Sequence, residues 1–219
     1  MKPFIASVFL AALLSHHASA GEGAAAVDAE LADIMRQWAH VNYEIDGDEQ
    51  EKAFEALAKT ANSYSAAHPD QAQGFIWAGI VHSSFAGAKG GLGALGLAKE
   101  AKKDFEKAIA IDGSALQGSA YTSLGTLYAQ VPGWPIGFGS DDKAQELFGK
   151  SLEINPDGID INYFYAQFLY DERKYKKAKA HLLKAQAAVP RVDRPLADKY
   201  RHQEIADLLA KVERKLNRK

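Results

Sequence analysis

Lys143-Ala144-Gln145-Glu146-Leu147-Phe148-Gly149-Lys150-Ser151, running on to Pro156, decides the fold, because the same pattern returns from Lys177-Ala178 to Pro190. Ala144 pairs with Ala178, Phe148 with Leu182, Ser151 with Ala185 and Pro156 with Pro190, and every pair is 34 residues apart. Within each copy the small, large and small residues recur at helical spacing, on one face. A period of this length belongs to helical hairpins stacked side by side. The small residues let two helices approach closely, the large ones fill the groove beside them, and each proline stops its hairpin.

Outward from this block the helical pattern continues in both directions. Towards the C-terminus, Asp160 to Tyr170 and Tyr175 to Val189 form one hairpin, and a last helix runs from about Pro195 to Leu216. Towards the N-terminus, Ser119 to Gln130 precedes the quoted block, with Tyr121, Leu124, Leu127 and Tyr128 inward. Ala101, Phe105, Ala108 and Ile109 give a strong helix from Leu97 to Ile111, and Phe75, Trp77, Ala78 and Val81 give one from Gln71 to Phe85. Leu31, Ile34, Met35, Trp38 and Val41 mark the first helix, and Phe54, Leu57, Ala61 and Tyr64 the second. The expectation is an all-α chain of about nine helices, with no strand. Residues 97–190 carry the clear repeats, residues 28–96 divergent hairpins, and residues 195–216 a capping helix.

These residues resemble the tetratricopeptide repeat. Tyr165-Ala166, Leu169, Ala178, Leu182, Ala185 and Pro190 match one copy, and Leu124-Gly125, Tyr128, Ala144, Phe148, Ser151 and Pro156 match the copy before it, which carries a seven-residue insertion. The resemblance implies antiparallel hairpins stacked as a right-handed solenoid. With its leader and its Pro-Gly-rich insertion, the chain is also similar to the periplasmic T component associated with some TRAP-type solute transporters. That resemblance implies a partner, another periplasmic protein such as a transporter's solute-binding protein, and self-association into an oligomer.

The ends and the composition set the address. Lys2, the apolar run Phe4 to Leu14 and the small residues Ala18-Ser19-Ala20 read as a cleaved secretory signal over residues 1–20, too short in its apolar part to span a bilayer. The expected location is the periplasm. There is no cysteine, which excludes disulfides, thiolate chemistry and a lipidated N-terminal cysteine. Without Lys2 the chain has 25 basic and 28 acidic residues of mixed order, so no polyanion partner is expected. The basic run from Lys199 to Lys219 reads as a solvated helix face, and neither nucleic acid nor membrane contact is expected of it.

No reactive constellation stands out. Gly91-Leu92-Gly93-Ala94-Leu95-Gly96 fits the spacing of a dinucleotide loop, but a helix rather than a strand precedes it. A long flexible hairpin loop, a closely packed helix start, and a mobile apolar flap or partner-docking edge are the readings left for this glycine-rich stretch, Gly87 to Gly96. His40, His68, His82, His181 and His202 are scattered, with no metal-binding spacing. The expectation is no enzyme, no metal and no cofactor.

Binding surfaces carry the functional reading instead. Val131 to Ser140 is an insertion inside one hairpin, with Trp134, Ile136 and Phe138 stiffened by Pro132 and Pro135. Its apolar residues either fold back on their own repeat or meet a partner. The dense run Asn162 to Tyr170 cannot bury every aromatic on one side. The resemblance puts Tyr163, Gln167 and Tyr170 on the concave face, with Thr122, Thr126 and Ala129 beside them. That face would grip an extended peptide or a small amphipathic solute, unless the C-terminal helix covers it. Arg191 and Arg194 hold that helix through carboxylates, or recognise an acidic partner. Two functions follow: a non-catalytic exported scaffold, auxiliary to a solute transporter, or a binder of a small apolar or amphipathic solute.

Overall fold

The computed structural model describes residues 28–217, and the leader read over residues 1–20 lies outside the described residues. Asp28 opens the first helix, α1 (Ala29–Glu44): its carboxylate accepts a hydrogen bond from the Leu31 amide at 2.8 Å. That bond satisfies one of the amides a helix start leaves free. Tyr64 ties the same carboxylate to α2 (Gly47–Ala67), its hydroxyl donating at 2.7 Å. The following helices are α3 (Ala72–Lys89), α4 (Gly91–Asp112), α5 (Ala115–Gln130), α6 (Asp141–Ile154), α7 (Ile159–Asp171), α8 (Tyr175–Gln186) and α9 (Pro195–Leu216). The described residues thus hold nine helices and no strand.

Each helix packs on the next in sequence, and the odd-numbered helices also pack on one another, α1 on α3, α3 on α5, α5 on α7 and α7 on α9. The even-numbered helices do not touch each other. Hairpins of one inner and one outer helix are therefore stacked side by side, as the 34-residue spacing predicts. Ala144, Ala166 and Ala178 have no exposed surface, and Phe148 and Leu182 are equally buried beside them. A side-chain carbon on Gly125 would come within 3.2 Å of the Phe148 ring, so glycine gives this crossing its close approach.

The most enclosed helix is α3. It is apolar nearly all round and buries residues on every face, as a helix must when neighbours surround it. Gly79 gives α4 its closest approach, since an added carbon would meet Phe105 at 2.6 Å.

Several expectations are corrected. The glycine-rich stretch Gly87 to Gly96 is not a long loop or flap: α3 runs to Lys89, Gly90 makes the whole turn, and α4 starts at Gly91. Gly90 sits at φ 61° and ψ −171°, a conformation essentially reserved for glycine. Ser140 caps α6, accepting from the Lys143 amide at 3.3 Å, and Asp141 adds its negative charge to the first turn. Helix α8 ends at Gln186, a few residues before Pro190, so that proline follows the stop instead of making it.

The largest departure concerns α9. It does more than cap the last hairpin, because it packs on α8, α7 and also α1. Ala197 belongs to the same apolar cluster as Leu31, Trp38 and Trp77, and Leu196 packs against it. Tyr200 stacks on Tyr43 of α1 with ring centres 4.7 Å apart and planes 3° apart. The first and last inner helices meet, and α1, α3, α5, α7 and α9 close into a ring.

Candidate functional site: the centre of the helix ring

The closed ring surrounds two connected cavities. One, of about 360 Å³, is lined by all five inner helices, from Trp38 and Tyr43 on α1 through Ser84, Thr122 and Tyr163 to Arg201. The other, of about 700 Å³, opens between Met35, Trp77, Leu116 and the segment Ala187 to Arg194. Ser119, Thr122, Asp160 and Arg194 line both, so they stand where the two spaces meet. The volumes lie in the range of sites that hold small molecules.

The junction is built on one carboxylate and three guanidinium groups. Asp160 lies in the first turn of α7, where a negative charge faces the positive end of the helix. It accepts from Arg191 at 2.6 Å, from Arg201 at 3.0 Å and from Arg194 at 3.4 Å. Burial works against its ionisation, but the three guanidinium groups outweigh burial and hold the carboxyl well below the usual carboxylate range. Arg191 also binds Asp198, through its side chain and its backbone amide. Arg201 donates to Glu204 at 2.6 Å and lies 4.5 Å from the ring centres of Tyr163 and Phe164. Burial is the main force raising Tyr163, whose phenol is pushed up to about 12, and burial also raises Glu204 against the pull of Arg201. This network fastens the 191–195 linker and α9 to the start of α7, so the structural role expected for Arg191 and Arg194 is present.

The backbone beside the larger cavity is unusual. Leu116, Gln117 and Gly118 take φ values of 46°, 58° and 75°, a left-handed turn inside α5. Two of the three are not glycine, and both line the cavity. Left-handed conformations in such residues are costly and concentrate at binding sites. The turn is held by Asn155, which donates to the Gln117 side chain at 2.9 Å, and by Ser151, which bonds to the Gly118 carbonyl.

Thr122, Thr126, Tyr163 and Gln167, all expected on the concave face, line the smaller cavity together. Thr122 is buried and shares a 2.6 Å hydrogen bond with Ser151, so it shapes the wall more than it offers a free hydroxyl. Tyr170 is not with them: it packs against Tyr175 at the turn into α8. Trp134 and Phe138 part company. Phe138 folds back onto Tyr128 with ring centres 5.5 Å apart, whereas Trp134 and Ile136 stand 90% and 70% exposed. The loop carrying them is pinned by bonds from Gly139 to the Pro132 carbonyl and from Ser140 to the Tyr128 carbonyl. Neither of its alternatives is the whole answer: one aromatic packs on the protein, and two apolar tips point outward.

The partnership of Asp160, Arg194, Arg201, Trp38 and Trp77 is legible only in part. Asp160 and Arg194 stand 34 residues apart, one repeat period, and a carboxylate partner is expected for Arg194. Arg201 and the two tryptophans have no such relation to them, and only packing brings these in.

No protein-family model matches the chain, and no curated protein matches it either. Among the described residues no group of three or more histidines and acids is placed to hold a metal, and no helix is long and apolar enough to cross a membrane.

Proposed function

We propose that this chain is a non-catalytic helical-repeat protein of the tetratricopeptide kind, its hairpins wound in the right-handed sense, that holds a small amphipathic solute at the centre of its ring. The observation that carries this reading is the seating of α9 against α1. It adds a fifth helix to the concave face, so that aromatic and hydroxyl side chains from all five inner helices line one cavity. The strained turn at Leu116 and Gln117 supports it, since both residues line the larger cavity next to that one. Native mass spectrometry of gently purified protein tests the reading. A small molecule carried at one per chain is expected. Bare protein in every preparation, with no thermal shift on adding amphipathic compounds of varied headgroup, would rule it out.

A second reading has its own support in the Trp134–Ile136 tip. A stiff loop with two outward apolar side chains is suited to docking a protein. In this reading the chain is exported to the periplasm, meets another periplasmic protein and serves a solute transporter. Recovery of a stoichiometric partner by the wild type, and not by Trp134→Ala/Ile136→Ser, is the expected result from periplasmic extract. N-terminal sequencing of the exported protein should begin at Gly21.

A further inference from the structure

Arg194 differs from the other two arginines of the junction. Arg191 and Arg201 each have a carboxylate besides Asp160, namely Asp198 and Glu204. Arg194 has only its 3.4 Å contact to the shared Asp160. A guanidinium carries five N–H donors, so most of those on Arg194 have no protein acceptor. Its faces are covered instead: the guanidinium carbon lies 5.1 Å from the ring centre of Trp77 and 5.9 Å from that of Trp38. Stacking against aromatic faces stabilises the cation but leaves the donors in its plane unused.

A second donor stands beside it. The Trp77 side chain is buried, and its Nε1–H has no hydrogen-bond partner. Buried donors without acceptors are uncommon and costly. Trp77 lines the larger cavity, and Arg194 lines both. A guanidinium with spare donors, stacked on an indole whose N–H is also unused, calls for an acceptor with a negative charge. Burial pushes the Arg194 guanidinium below its ordinary value, whereas Arg191 and Arg201 are held above theirs by their carboxylates despite burial. Around the same space stand Asp157, Asp193 and Lys184 at the larger cavity and Glu204 at the smaller one. The acids among them oppose an anion in general; the unpaired donors are local to Arg194 and Trp77.

We propose that Arg194, with Trp77 beside it, is the recognition site for the carboxylate of a small organic acid whose apolar body lies in the ring cavity. This rests on the solute-binding reading above and names the chemical class of the solute. The planar fork of Arg194 suits a carboxylate, which accepts two parallel bonds. The apolar body then has Met35 and Leu116 on the side of the larger cavity, or Ile80, Phe105 and Leu127 on the side of the smaller one.

Three probes with the same ten-carbon chain test it on the full exported chain: decanoate, decanol and decylammonium, titrated by calorimetry at neutral pH. Decanoate is expected to bind at least about tenfold more tightly than decanol, the difference made by charge-assisted hydrogen bonds. Arg194→Gln should abolish that preference, with an unchanged circular dichroism spectrum and a cooperative thermal transition showing that the variant is folded. Trp77→Phe, which removes the N–H together with part of the ring, should reduce decanoate binding a few-fold more than decanol binding. If Arg194→Gln loses decanol binding as well, the wild-type preference and Trp77→Phe decide the matter. Equal binding of decanoate and decanol in the wild type overturns the carboxylate site and leaves the solute-binding function standing. Preference for decylammonium overturns it in favour of Asp160 as the recognising group. Failure of all three probes overturns both.

Discussion

Asp160 is the residue on which the closed ring turns, because it joins α7 to the 191–195 linker and to α9. Its carboxyl is depressed in the folded protein, so its contribution is fully present above the unfolded value of about 3.9 and is lost as pH falls through and below that value. His181 acts at milder pH. Burial lowers its pKa, and its Nδ1–H donates to Asn162 at 2.8 Å. A lowered histidine contributes stability above about 6.5 that is lost as pH falls from there. Glu204, raised by burial, has the opposite sign and becomes less costly on acidification. Urea midpoints should therefore decline gently below pH 6.5 and steeply below pH 4. His181→Gln is expected to remove the gentle phase. Asp160→Asn leaves three guanidinium groups without their shared anion and should cost about 3 kcal/mol at neutral pH, with a flatter acid limb. An Asp160→Asn variant as stable as wild type would show that the linker network does not hold α9.

At the scale of elements, two segments have distinct roles. Gly90 makes the turn from α3 to α4 in a conformation that side chains avoid, although nothing stands within 4 Å of where a side-chain carbon would go. The penalty of Gly90→Ala is thus backbone strain, about 1–3 kcal/mol, readable in the thermal midpoint. The Val131–Ser140 loop is the reverse case. Trp134 and Ile136 contribute little to the fold because solvent already surrounds them, so Trp134→Ala/Ile136→Ser should leave stability within about 0.5 kcal/mol of wild type. The same variant losing its fold would mean that the tip packs on the protein after all. Helix positions were legible from the repeat: Ala144, Phe148, Ala178 and Leu182 recur at fixed spacing and are buried as that spacing requires. The glycine cluster was not legible, since positive φ at just two adjacent residues, Gly90 and Gly91, replaces what composition presents as a loop. Tyr170 was misplaced for a related reason: at the last turn of its helix the neighbour that decides its environment is Tyr175, beyond the repeat pattern.

The whole molecule is a stack that returns on itself. An open stack would leave α1 and α9 as separate ends, each needing protection from solvent. Here the two ends bury one another through Tyr43, Tyr200, Leu196 and Ala197. Tyr200→Ala should loosen this seam, with faster hydrogen exchange confined to α1 and α9 and weaker retention of any bound solute. Exchange unchanged in those helices would mean that the ring does not depend on the stacked pair. The amino-acid sequence alone determined the helical class, the number of helices, their pairing into hairpins and the small-residue crossings, because those follow from contacts made within one 34-residue period. Only the tertiary structure decided that the stack closes and that Arg194, Asp160 and Trp77 meet at its centre. Closure depends on the small rotation added at each hairpin, and that sum carries Trp77, from the divergent N-terminal hairpins, to the Arg194 that a single repeat period already places near Asp160.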